Sequence, residues 1–65
     1  MFAIRNKKTK DYFCYFDERD EKEIWGKDDP WLYERMVDAL FVVATMKWEN
    51  IVEIVEPTPL LQKKL

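Results

Sequence analysis

From Phe2 to Arg5 apolar positions alternate with small or polar ones, and Asp11 to Phe16 is dense in aromatic residues. The polar stretch Asn6-Lys7-Lys8-Thr9-Lys10 between them has the length of a hairpin loop, so this part of the chain predicts a β-hairpin. Such loops usually place glycine where φ is positive. With none here, Lys10 or Asn6 must take that role, and asparagine tolerates it better. The charge density of residues 17–27, together with Gly26, predicts an exposed loop with room for a helical turn. Ile24 and Trp25 are expected to anchor this loop to the core.

The helical period begins after Asp28-Asp29-Pro30. Asp29 is placed as N-cap and Pro30 at the first helical position, where its missing N–H costs nothing. The pattern runs to about Lys47. Leu32, Met36, Ala39, Leu40 and Val43 share one stripe, flanked by Tyr33, Val37, Ala44 and Met46, with Glu34, Arg35, Asp38 and Thr45 opposite. Ile51 to Glu56 is rich in β-branched residues and predicts a further strand. Pro57 and Pro59 stop it, because neither can donate to a ladder. The predicted order is ββαβ, an α+β fold with a three-stranded sheet and one helix packed on one face. Residues 1–59 form a single domain in this reading, and 60–65 a short C-terminal tail.

This pattern holds more apolar surface than one helix can cover. Alternation in the second strand sends Tyr12, Cys14 and Phe16 to one face and Phe13 and Tyr15 to the other, and neither set is polar. In the third strand Val52 and Ile54 oppose Ile51 and Val55. On the helix, Phe41 falls between Asp38 and Thr45, and Trp31 and Val42 lie on or near the polar arc. Two outcomes are open. The acidic loop and Leu60 and Leu61 fold over the excess, or the excess is a contact surface of the kind that marks interfaces.

Composition sharpens this choice. The chain has 65 residues, one cysteine and no histidine. An internal disulfide is excluded, and a closed zinc site of the usual ligand set cannot be built. Small domains usually need such a staple or a second subunit, so self-association becomes the leading remaining option. The opening Met1 to Arg5 is charged too soon for a signal peptide. The longest apolar run, Ala39 to Ala44, is far short of the roughly 20 residues a membrane helix needs. A lone cysteine fits a reducing compartment. A cytoplasmic protein with no membrane partner is therefore expected.

The chemistry of an enzyme is poorly supplied. Serine and histidine are both absent, so neither Ser-His nor Cys-His nucleophiles can form. One glycine excludes a phosphate-cradling loop. No catalytic residue, cofactor or metal is expected. Charge is distributed unevenly. Arg5, Lys7, Lys8 and Lys10 stand without an acid in residues 1–10, whereas residues 17–29 carry seven acids against three bases. The acidic run is a solvated loop or a surface for a basic partner; its spacing does not match a calcium loop. The basic hairpin, with Tyr12 or Tyr15 as stacking platforms, allows weak binding of single-stranded nucleic acid, which the overall charge of −2 disfavours.

The run Met1-Phe2-Ala3-Ile4-Arg5-Asn6-Lys7-Lys8-Thr9-Lys10-Asp11-Tyr12-Phe13 resembles the start of small uncharacterised bacteriophage and prophage accessory proteins. Those begin with a short strand, an N-K-K-T-G-K-type turn and an aromatic strand; Lys10 stands where that pattern has glycine. The resemblance implies a short accessory protein that binds and blocks a host or defence protein, anti-CRISPR-like inhibition being one form. The expectation is a non-catalytic protein-binding module. Trp31, Phe41 and Val42 would supply affinity, and Asp17, Glu18, Asp20 and Glu21 would steer association. A structural homodimer with no foreign partner is the alternative.

Overall fold

The computed structural model describes residues 1–57; the expected tail 60–65 and the boundary at 59 lie outside them. The chain forms β1 (Ala3–Asn6), β2 (Tyr12–Asp17), β3 (Lys22–Gly26), α1 (Met36–Met46) and β4 (Val52–Val55). The strands make one antiparallel sheet in the order β3-β2-β1-β4. The α+β class is as expected, but the sheet has four strands rather than three. The extra strand comes from the segment expected to be a loop. Its charges belong to a tight turn, and Lys22 to Gly26 pairs along β2, with Asp17 opposite Lys22 and Phe13 opposite Trp25.

Both hairpin loops are built in the same way. Asn6 Oδ1 accepts the amides of Lys8 and Thr9 at 2.8 and 2.9 Å, and Lys10 has φ 67°. Asp17 Oδ1 accepts the amides of Arg19 and Asp20 at 3.0 and 3.4 Å, and Glu21 has φ 51°. In each loop an Asx side chain folds the first half and a charged residue takes the left-handed position four residues later. Positive φ thus falls to Lys10, while Asn6 serves through its side chain.

The helix starts six residues later than its local signals suggest. Trp31 N donates to Phe13 O at 3.0 Å, and Tyr33 and Phe2 exchange two hydrogen bonds of 2.8 Å. Residues 31–33 are thereby drawn between β1 and β2, where those strands part. Sheet hydrogen bonds outbid an Asp-Asp-Pro helix start, which is tertiary context overriding propensity. Pro30 is buried, and Arg35 is the N-cap, with extended backbone and no side-chain cap. At the other end Trp48 N bonds to Val43 O (2.9 Å) and Lys47 N to Ala44 O (3.2 Å), with Lys47 at φ 59°. This is the paired closure of a Schellman motif, in which the residue after the left-handed one packs back on the helix.

That residue is Trp48, and it forms the centre of the core. Its ring meets Phe13 at 5.3 Å and Trp25 at 5.1 Å, and Phe13 meets Trp25 at 5.6 Å. Ile4, Ala39, Val43 and Val52 complete the cluster. Trp48 lies just beyond the helical pattern that the sequence shows, which runs to about Lys47. The buried face of α1 centres on Ala39 and Val43, with Val42 beside them. The expected stripe was turned toward Met36 and Leu40, and both are exposed.

Alternation along β2 fails at Cys14. The register shifts there, so Phe16 pairs with Glu23 and Tyr15 with Ile24. The extra residue of this β-bulge reverses the faces beyond it. Phe16 therefore shares the face of Phe13, contrary to the expected grouping with Tyr12 and Cys14. Gly26 makes room for the bulge, because a Cβ there would lie 3.2 Å from Cys14 Sγ.

Candidate functional site: an apolar groove beside the helix

Helix α1 packs over β1 and β4 and leaves the β2–β3 half of the same face to other groups. The aromatic triangle fills one part of that half. The remainder is a groove of about 580 Å³ between α1 and β2. Phe13, Phe16, Trp31, Tyr33, Phe41 and Val42 line it. A second concavity of about 530 Å³ shares Tyr15 and Trp31 with the groove and continues to Cys14 and Leu32. The two concavities thus adjoin at Tyr15 and Trp31, and the second also has Asp29 in its lining.

The structure brings the three expected apolar site residues together. Phe41 is 72% exposed and Trp31 54%, and both line the groove. Val42 differs from the expectation: it is half-buried and packs against the core, forming groove wall instead of free surface. Trp31 reaches the site from the extended segment, not from the helix. Phe13, Phe16 and Tyr33 were missed as site residues. The bulge at Cys14 and the Phe2–Tyr33 pairing place them, and neither has a signal in the sequence.

The acids stand apart from this groove. Asp17 closes β2 and spends its side chain on the turn, while Glu18, Asp20 and Glu21 are exposed around that turn. None of the four lines the groove. The acid nearest by register is Glu23, opposite the groove-lining Phe16.

Other polar groups are engaged in the fold. Arg5 Nη2 lies 2.7 Å from Glu53 Oε2, its Nε donates to the same oxygen at 2.8 Å, and Lys10 Nζ stands 3.8 Å away. The hydrogen bond from Arg5 is the main cause that holds the Glu53 carboxyl below its ordinary range. Two of the four cations of the first hairpin thus face a carboxylate of this chain. Lys27 Nζ sits 2.7 Å from the buried Asp11 Oδ1 and also donates to Thr9 O at 3.3 Å.

Burial, reinforced by Asp29, Asp11 and Asp28, pushes the Cys14 thiol up, which disfavours the reactive thiolate. Burial likewise pushes the Tyr33 phenol up. Among the described residues no group of three or more histidine, cysteine or acidic side chains could hold a metal ion. Among them, too, no helix is long and apolar enough to cross a membrane. Comparison with known proteins finds no matching family model, no matching curated protein and no matching solved structure.

Proposed function

We propose that this chain is a non-catalytic protein-binding module that inhibits or modulates another protein by docking it in the groove beside α1. The observation that carries the reading is the exposure of two large aromatic side chains, Trp31 and Phe41, on one continuous apolar surface. Interface cores are enriched in aromatic residues, and binding energy concentrates in such anchors. The acids Asp17, Glu18, Asp20 and Glu21 lie outside the groove, and this position suits long-range steering rather than contact.

In the same reading the partner is a host or defence protein of a bacterium, bound in the manner of a phage accessory protein. The resemblance of the first hairpin supports that context. Nucleic acid fits less well, because Arg5 and Lys10 already face Glu53.

The test is affinity capture from bacterial lysate with wild type, Phe41→Asp and Trp31→Ala baits, each checked for folding by circular dichroism. A protein retained in stoichiometric amount by wild type and lost from both variants is the expected result. Identical captures with all three baits would remove the groove as the docking site.

A further inference from the structure

The groove beside α1 opens close to the end of β4. Val55 pairs with Ala3, and Phe2, next to Ala3 in the chain, pairs with Tyr33 of the groove wall. Two ladder steps of ~4.8 Å therefore separate the end of β4 from Tyr33, about 10 Å in all. Beyond Pro57 the sequence continues with Thr58-Pro59-Leu60-Leu61-Gln62-Lys63-Lys64-Leu65. At ~3.3 Å per residue Leu60 and Leu61 have a reach of about 10–13 Å from Pro57, and the eight residues together about 26 Å. The groove lies within that reach.

We propose that in the free protein this segment seats in the groove, with Leu60 and Leu61 against Trp31, Tyr33 and Phe41. A partner that docks there must displace it. This competition rests on the docking reading, whereas the seating of the segment does not.

Three observations favour the chain's own segment as the occupant. The first is the match of apolar surface. No charged side chain lines the groove, and the two adjacent leucines arrive first along the segment. The second is charge complementarity. Residues 1–57 carry nine cations against thirteen acids, whereas residues 58–65 carry Lys63 and Lys64 and no acid. Acids stand at the groove's margin. Exposed Glu34 follows Tyr33 directly and has no ion-pair partner among the described residues, and Asp29 lines the adjoining concavity. Lys63 and Lys64 come two and three residues after Leu61, so leucines in the groove leave both ammonium groups near these carboxylates. The third is the tether. A short linker holds a segment at an effective concentration on the order of millimolar, so a contact too weak to persist between molecules persists within one.

The test uses the full chain with its leucine methyls labelled. Nuclear Overhauser contacts from the Leu60 or Leu61 methyls to the rings of Trp31, Tyr33 or Phe41 are expected, and their absence overturns the proposal. Nile red, an uncharged apolar dye, gives a second readout. The double variant Leu60→Asp with Leu61→Asp should bind it about threefold or more tightly than wild type, as when a competing occupant holds most of the sites. Adding Phe41→Asp should abolish that gain. Equal dye binding by wild type and the leucine variant, with circular dichroism unchanged, overturns the proposal. So does a gain that survives Phe41→Asp, because the segment then covers some other surface.

The docking reading is separable in the same samples. If the leucine methyls touch none of the three rings, yet Phe41→Asp and Trp31→Ala baits lose a captured protein, the segment is excluded and docking stands. If the contacts are present and captures ignore Phe41 and Trp31, docking is excluded and the groove serves its own chain. With both in force, the leucine variant as bait should retain more of the captured protein than wild type does.

Discussion

Glu53 shows how much one side chain can carry in so small a protein. It stands on the edge strand β4 opposite Arg5 of β1 and gathers Arg5 and Lys10 around one carboxylate oxygen. Its carboxyl is held below the ordinary range, chiefly by the hydrogen bond from Arg5. A folded-state value below the unfolded one contributes stability that is fully present above the unfolded value. That stability is lost as pH falls through the folded value. Thermal unfolding of wild type and Glu53→Gln should therefore differ most near neutral pH, and the gap should close as pH falls below ~4. A gap independent of pH would show that the pair adds packing only. The residues opposite one another here, Ala3 and Val55, Ile4 and Ile54, Arg5 and Glu53, also fix the register of the β1–β4 ladder. The β-branched run 51–56 signalled a strand, but only the fold reveals that its one central acid lies against an arginine.

At the scale of elements, the strands and the helix divide by how local their causes are. The first hairpin was legible because Asn6 to Lys10 is a polar loop between two apolar segments. The second hairpin obeys the same Asx-and-left-handed plan, yet its turn is so acidic that the charge hid the strand behind it. Ile24 and Trp25 were the readable signal, since two apolar residues in succession serve one face each in a strand. The shared plan yields a prediction. Glu21 is exposed, and in the left-handed region it bears the cost of roughly 1 kcal/mol or more that a side chain meets there. Glu21→Gly should raise stability by about 0.5–1 kcal/mol once the entropy of glycine in the unfolded chain is counted. For a domain of this size that is a rise of roughly 2–8 °C in Tm. Glu21→Val should lower it, and if both variants melt like wild type the turn is not held at positive φ in solution. The helix was readable from its period, but its start was not. The cap signals Asp29 and Pro30 are sound locally, and they are overruled by hydrogen bonds to Phe2 and Phe13, residues far away in sequence.

For the molecule as a whole, the apolar excess was correctly sensed, but it lies where the sheet and helix fail to meet rather than on a bare sheet face. Trp31 and Phe41 were readable because both fell on or near the polar side of a helical wheel. Phe16 was not, because a single inserted residue at Cys14 turned it over. The same geometry explains how so few buried residues hold a fold open on one flank. The aromatic triangle of Phe13, Trp25 and Trp48 joins β2, β3 and the turn after α1, and so spans the half of the sheet that the helix leaves uncovered. Without Trp48 that half has no cover, and the closing bond from Trp48 N to Val43 O loses the side chain that anchors it. Truncating a buried tryptophan costs about 3–5 kcal/mol. A core of this size rarely supplies more than ~3–5 kcal/mol in total. Trp48→Ala should therefore be largely unfolded at room temperature, without near-ultraviolet circular dichroism. Trp48→Phe, which keeps a ring in the triangle, should fold with a lowered midpoint in urea. By contrast Trp31→Ala should unfold close to wild type, because its ring serves the groove and not the core. If Trp48→Ala melted like Trp31→Ala, the triangle would not be what holds the β2–β3 half of the sheet to the helix.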